Sequence, residues 1–213
     1  MRALAGLQAR RGTLPEPLLL EWLALAGLLV FATWLLGVRG VWALLLSANP
    51  TGITLVIIVV FFCATLWCGT RSRVLQQQRA ALGRGEGWAG DYLQALRSAP
   101  LDRGAPLDLL LEHTHGPHGT AWWVNGIQLK LGLLGKVIGF SILALQIGQM
   151  QNFDPSQSQD LLKNLTTGLG VALLTTMVGL VGNIVLGLQL TRLDRYADAL
   201  VADIQRTGLK AND

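Results

Sequence analysis

The chain has 213 residues, of which 51% are hydrophobic and only 14% are charged, and its formal net charge is +4. A soluble domain normally carries about 25% charged residues, so this deficit favours a membrane protein over a soluble enzyme. The excess of basic residues does not indicate nucleic-acid binding, because in a membrane protein their positions matter more than their sum. The first apolar run ends without a small-residue cleavage site and is therefore expected to remain as a span.

Four segments are apolar enough to cross a bilayer as helices, which takes about 20 mostly apolar residues. They are residues 18–36, 53–67, 129–147 and 161–190, with a shorter apolar patch at 41–46. The segment between the second and third spans is too polar to cross. The chain is therefore predicted to be an all-α, polytopic membrane protein with four transmembrane helices.

The distribution of basic residues predicts the orientation of these spans. Thirteen Lys and Arg residues lie before the first span, between the second and third, or after the fourth. The other two connections hold only Arg39 and, if it is counted at the rim of the fourth span, Lys163. Cytoplasmic segments carry the excess of Lys and Arg, so both termini and the middle segment are predicted to be cytoplasmic.

The predicted divisions are 1–69 (N-terminal stub and helices 1–2), 70–128 (cytoplasmic helical segment), 129–190 (helices 3–4, the pore-lining core) and 191–213 (amphipathic cytoplasmic tail).

The cytoplasmic parts are predicted to be helical. Residues 71–82 continue the second span, glycines at 83–87 break it, residues 88–98 form a helix, and another short helix starts at 107–111. In the tail, apolar residues recur at helical spacing between 193 and 204, so the fourth helix is expected to extend past the membrane with one buried face.

All three histidines lie in one short cluster, His113, His115 and His118, beside Glu112. Three imidazoles could bind zinc or nickel, but their spacing fits no tetrahedral zinc motif, and the Gly-Pro pair at 116–117 predicts a flexible loop. We favour a solvated loop and predict no metal, no cofactor and no catalytic residue.

Cys63 and Cys68 do not form a CxxC pair and are interpreted as ordinary reduced cysteines.

The third and fourth spans carry small residues at intervals of three and four, which let helix backbones approach closely in a membrane. The predicted packing positions are Gly132, Gly135, Gly139, Gly168, Ala172 and Gly179. Thr175, Thr176 and Asn183 place hydroxyl and amide groups on or beside that face. These polar groups indicate either simple helix packing or a shared, partly hydrated interior that forms an ion pathway.

Lys136 lies in the middle of the glycine-rich third span. A lysine there costs about 2.5–3.5 kcal/mol on insertion scales, so such residues usually face a cavity or a partner charge. Lys136 is about 9 Å further along the helix than Lys130, near the limit for a lysine stem that reaches the inner headgroups. A buried role is favoured over snorkelling, and Lys136 joins the threonines and Asn183 as a predicted pathway residue. No carboxylate lies in the interior of any span, so a proton carrier would need one from another subunit.

The stretches LGLLGKVIGF (131–140) and GLGVALLTTMVGLVGN (168–183) resemble the two-helix core of the MotA/TolQ/ExbB proton-channel family. The resemblance covers about residues 125–205. It implies a homo-oligomer, a ring of five subunits in the bacterial inner membrane, around two copies of a single-span partner of the ExbD, TolR or MotB type. The partner's membrane aspartate would carry protons, and the resulting rotation would transmit work, so this subunit would belong to a proton-motive-force-driven motor.

Two positions depart from the family pattern. The first-helix threonine that borders the proton path in relatives aligns with Lys136, and the membrane glutamate aligns with Val171, whereas Thr176 is retained. Five ammonium groups around one bore would repel protons. Lys136 could instead pair with the partner's carboxylate, become neutral when unpaired, or mark a loss of proton flux. The alternative function is a membrane scaffold or a non-proton channel, possibly for anions.

Overall fold

The computed structural model describes residues 18–47, 52–98, 104–148 and 155–210, and these ranges are helical apart from short turns. The predictions for residues 1–17, for the loop at 149–154 and for residues 211–213 concern parts of the chain outside these ranges. The helices are α1 (Leu18–Val38), α2 (Val41–Ser47), α3 (Ile53–Leu82), α4 (Trp88–Ser98), α5 (Gly104–Gly148) and α6 (Pro155–Lys210). Helices α1, α3, α5 and α6 are long and apolar enough to cross a membrane. The predicted all-α class and the count of four candidate spans are confirmed.

The core of the fold is a bundle of α3, α5 and α6, in which α5 and α6 pack along most of their length. Helix α1 joins this bundle at one end, where the Trp22 ring covers Gly69 so closely that no side chain would fit there. The indole Nε1 of Trp22 also donates to the carbonyl oxygen of Thr65 at 3.1 Å. The rest of α1 is largely exposed and apolar, as expected for a helix that faces lipid.

Helix α6 continues well past its apolar part, as the spacing of its apolar residues predicts. The predicted face of this extension is buried, and it consists of Leu193, Tyr196, Ala197, Leu200, Val201 and Ile204. Arg79 of α3 bonds Asp203 at 3.1 Å and lies over the Tyr196 ring. The predicted break after α3 is also confirmed, because Gly85 and Gly87 adopt φ near +67° and +66°, a conformation that other residues rarely take.

The predictions of a loop at the histidine cluster and of a separate short helix at 107–111 are wrong, because both belong to the continuous helix α5. Pro117 has no N–H to donate to the carbonyl of His113, four residues earlier. Arg71 of α3 supplies that donor: its Nη2 donates to the His113 oxygen at 2.6 Å and to the Thr114 oxygen at 3.0 Å. The helix therefore continues through the proline because a side chain from another helix replaces the missing backbone donor.

Candidate functional site

The apolar parts of α5 and α6 meet at a close contact, the α5–α6 seam, formed by Gly132, Gly135 and Gly139 of α5 with Ala172, Thr175, Thr176 and Gly179 of α6. A β-carbon built on Gly132 would lie 3.3 Å from Cα of Gly179, and one on Gly139 would lie 3.0 Å from Cβ of Ala172. Gly135 faces the Thr175 side chain with no room for one of its own. Glycine at these positions lets the two backbones touch, which is how helices associate where lipid supplies no hydrophobic driving force.

Gly168, the last of the predicted packing positions, lies on α6 against the side chain of Leu143. A β-carbon on Gly168 would be 3.0 Å from Cδ1 of that leucine. Since the neighbouring atom is the end of a flexible side chain, this contact is more tolerant of substitution than the backbone contacts of the α5–α6 seam.

We expect Gly179→Ala to destabilise the α5–α6 seam by about 1–3 kcal/mol, the usual effect of overpacking. The added methyl group would meet the Gln128 carbonyl oxygen at 2.9 Å and Cα of Gly132 at 3.0 Å, and backbone atoms cannot rotate away. The check is the apparent melting temperature of the purified protein. Gly170→Ala in the same helix is the matched control, because a β-carbon there meets nothing within 4 Å. Equal melting temperatures for the two variants would contradict the tight contact.

Two threonine hydroxyls lie at the α5–α6 seam. The Thr176 hydroxyl donates to the Ala172 oxygen at 3.0 Å and to the Gly132 oxygen at 3.3 Å, so it connects the two helices. The Thr175 hydroxyl lies 3.2 Å from the hydroxyl of Thr54 on α3, and both side chains are buried. Helices α3 and α6 thus place hydroxyl groups at one level of the bundle, and α5 contributes the Gly132 carbonyl.

Lys136 lies beside the α5–α6 seam and not within it. It follows Gly135 by one residue, hence by about 100° around the helix, and its side chain is half-buried. Its Nζ lies 5.8 Å from the centre of the Phe140 ring, a cation–π distance. Among the described ranges no carboxylate lies within ion-pair distance of it. This ammonium in a membrane span therefore has an aromatic ring from its own helix and no counter-charge among the residues that the structure describes.

Beyond the threonines, the polar groups between α5 and α6 are side-chain amides. The Asn183 Nδ2 donates to the carbonyl oxygen of Asn125 at 2.8 Å. Asn125 and Gln128, neither of which the sequence analysis identified, are buried on the face of α5 that meets α6. Their position at three- and four-residue spacing before Gly132 is the sequence signal that could have found them.

A second polar cluster lies on the extensions of α3, α5 and α6, where His118, Asp194, Arg71 and Trp122 meet. His118 Nδ1 lies 2.6 Å from Oδ1 of Asp194, and Trp122 Nε1 donates to Oδ2 of the same carboxylate at 2.8 Å. Arg71 Nε lies 3.4 Å from His118 Nε2. This arrangement fits a neutral imidazole that donates through Nδ1 and accepts through Nε2. Burial lowers the pKa of His118 and the Arg71 charge lowers it further, although Asp194 acts in the opposite direction.

His115 and His118, two of the three histidines, use both ring nitrogens in hydrogen bonds within the chain. Both nitrogens of His118 have partners, and His115 Nε2 lies 3.0 Å from Asp198 Oδ1 while its Nδ1 lies 2.9 Å from the Thr114 hydroxyl. In the part of the chain that the structure describes, no group of three His, Cys, Asp or Glu side chains is placed to hold a metal ion.

Residues 125–206 match the model of the MotA/TolQ/ExbB proton channel family, which confirms the resemblance found in the sequence. The matched segment contains the α5–α6 seam, Lys136 and the amides, whereas α1, α2, α3 and α4 lie outside it. No curated protein and no solved structure matches the chain.

Proposed function

We propose that this chain is the ring-forming subunit of an inner-membrane motor that is driven by the proton-motive force. The observation that carries the proposal is that the family match falls on the glycine-lined α5–α6 seam with the Thr176 hydroxyl inside it. The family is one of proton channels, and such a channel needs polar groups within its spans. Thr175, Thr176 and Asn183 supply them on α6.

A partner subunit is part of this proposal because the chain lacks a titratable acid in the interior of its spans. Its sequence has no Asp or Glu within residues 53–67, 129–147 or 161–190. Proton carriage across a membrane normally uses such a group. We infer that two copies of a single-span partner supply an aspartate at the centre of a pentameric ring and that Lys136 pairs with this aspartate.

The proposed orientation places both termini and the extensions of α3, α5 and α6 in the cytoplasm, with α4 beside them. The excess of basic residues in these parts supports it. The proposed division of the chain is then a membrane part formed by α1, α2 and the apolar portions of α3, α5 and α6, and a cytoplasmic bundle formed by the rest.

A second function stays open because of Lys136. A ring of unpaired ammonium groups would repel protons and attract anions, so a scaffold or an anion channel is the competing proposal. Purification of the chain from its native membranes distinguishes the two. A co-purifying single-span protein with an aspartate in its span supports the motor, whereas stable rings of this chain alone support the scaffold or anion channel.

We expect Thr176→Val to reduce proton flux about tenfold in vesicles that hold the chain and its partner, the change produced by about 1.4 kcal/mol of barrier. The substitution removes the hydroxyl and keeps the branched shape of the side chain. Thr166→Val is the matched control, because Thr166 is exposed on the same helix and bonds the Leu162 carbonyl at 2.8 Å as Thr176 bonds that of Ala172. Flux at the wild-type level in Thr176→Val would show that this hydroxyl does not border the path.

A further inference from the structure

A cleft of about 440 Å³ lies between α1, α3 and α6, at the end of the bundle where Trp22 covers Gly69. Its volume is within the range of about 300–1,000 Å³ that is typical of ligand sites. Helix α1 packs on α3 through Trp22, whose indole donates to the Thr65 carbonyl oxygen. It faces α6 across the cleft, and an ion pair of 3.2 Å between Glu21 and Arg192 joins these two helices. The cleft is therefore space that α1 and α6 leave open between them.

The two ends of the cleft differ in chemistry. The lining residues of α6 change from Leu188 to Arg192 and Arg195, about 10 Å further along the helix. On α1 the order along the chain is reversed, from Glu21 to Leu25, as expected because the first and fourth of four consecutive spans cross in opposite directions. The ion pair between Glu21 and Arg192 brings the charged ends of the two helices together. One end of the cleft is therefore charged, and the other is apolar.

The charged end carries a net positive charge. Arg192 is balanced by Glu21, whereas in the described part of the chain no carboxylate lies within ion-pair distance of Arg195. Both arginines are exposed. Guanidinium groups bind phosphate oxygens through paired hydrogen bonds, and basic pockets between transmembrane helices on the cytoplasmic side bind the headgroups of anionic lipids. Trp22, in the same cleft, is of the residue type that is enriched at headgroup level.

The apolar end favours a lipid over a free anion. Leu25 is half-buried there, and Leu188 is 60% exposed. These side chains offer nothing to inorganic phosphate, whereas they form an apolar surface against which an acyl chain can lie. A molecule that carries a phosphate group, with a hydrocarbon chain that begins within about 10 Å of it, matches both ends of the cleft.

We propose that the cleft binds one anionic phospholipid of the inner leaflet, with its phosphate on Arg192 and Arg195 and an acyl chain against Leu25 and Leu188. The lipid fills the space between α1 and α6. It thereby holds α1, which lies outside the segment that matches the proton-channel family, to a helix inside that segment. Lipid binding does not depend on proton transport, and only the choice of leaflet rests on the proposed orientation.

The first test is native mass spectrometry of the assembled protein after lipids are added to a delipidated sample. We expect up to one phosphatidylglycerol per subunit, bound at least about tenfold more tightly than phosphatidylcholine, whose headgroup has no net charge. The double substitution Arg192→Gln and Arg195→Gln should remove this preference. Equal binding of the two lipids by the wild type would overturn the proposal.

The matched control is the double substitution Arg84→Gln and Arg97→Gln, which changes the net charge by the same amount. Both arginines are exposed and lie outside the cleft, and Arg84 pairs with Glu86 at 3.6 Å much as Arg192 pairs with Glu21. This control should keep the preference for phosphatidylglycerol. Loss of the preference in both double variants would show that overall charge attracts the lipid. Displacement of the lipid by excess inorganic phosphate would show a plain anion site. Either result would overturn the proposal.

A crosslinking experiment keeps both arginines and so does not depend on the folding of the double variant. Leu188 is replaced by the photoreactive p-benzoylphenylalanine, and the assembled protein is illuminated in vesicles with equal amounts of the two lipids. We expect crosslinks mainly to phosphatidylglycerol. The same replacement at Leu180, which is exposed about 12 Å away on α6 and outside the cleft, should label both lipids equally. Equal labelling from Leu188, or crosslinks to residues 1–17 or to a second copy of the chain, would show that no anionic lipid fills the cleft.

Discussion

Lys136→Ala is expected to abolish proton transport while rings of the protein still assemble. The ammonium group lies beside the α5–α6 seam and contacts only the Phe140 ring among charged or aromatic partners in the described residues. Among the described residues its removal therefore leaves no buried counter-charge, and the contacts of the seam remain. If the lysine pairs with the partner's aspartate during each cycle, the loss of a charge-assisted bond of about 2 kcal/mol lowers flux at least about 30-fold.

Two variants separate the effect of charge from that of position. Lys136→Arg keeps the positive charge and should retain part of the flux, whereas Lys130→Ala removes a charge from the exposed surface of the same helix and should change flux little. Native mass spectrometry reports the number of subunits per ring in each sample, so flux can be expressed per assembled ring. Collapse of the ring in Lys136→Ala, with normal flux in the rings that remain, would show that the lysine serves assembly.

Arg71→Ala is expected to destabilise the protein by about 3 kcal/mol, because it removes charge-assisted hydrogen bonds that hold α5 to α3. The guanidinium donates to the carbonyl oxygens of His113 and Thr114, bonds His118 Nε2 and lies over the Trp88 ring. The measurement is the apparent melting temperature of the detergent-solubilised protein, which should fall by roughly 6–12 °C for a chain of this size. Arg73→Ala, an exposed arginine two residues away, should have almost no effect.

A double substitution tests the specific reason given for this effect. Pro117→Ala restores the backbone N–H that a helix normally donates to the His113 carbonyl, so that oxygen no longer depends on Arg71. We expect Arg71→Ala to cost less in the Pro117→Ala background than in the wild type. Additive effects of the two substitutions would show that Arg71 does not compensate for the proline.

The sequence predicted most of the helical architecture, because that architecture depends on local periodicity. The apolar spacing from Leu193 to Ile204 identified the buried face of α6, and the glycines at 83–87 identified the end of α3. The continuation of α5 through Pro117 could not be predicted, because its donor, Arg71, lies 42 residues before His113 in the chain. Local rules for Gly-Pro pairs contain no information about a donor from another helix.

Some of the polar groups between the helices were identified from the sequence and others were missed, for a similar reason. Thr175, Thr176 and Asn183 stand out in an apolar run, and so they were identified as pathway candidates. Gln128 precedes the third predicted span by one residue and was counted with the polar segment. Its complete burial depends on Gly182 of α6 and on Phe61 of α3, which come close to it only when the three helices pack together.

The length of α6 has a mechanical consequence. The helix continues without a break from Thr176 to Lys210, about 50 Å at 1.5 Å per residue. If it moves as a rigid rod, a tilt of about 5° around Thr176 displaces its far end by about 4 Å. Asp194 and Asp203, which bond His118 and Arg79, lie along this lever. A small tilt of α6 about Thr176 therefore displaces the opposite end of the helix by more than the length of a hydrogen bond.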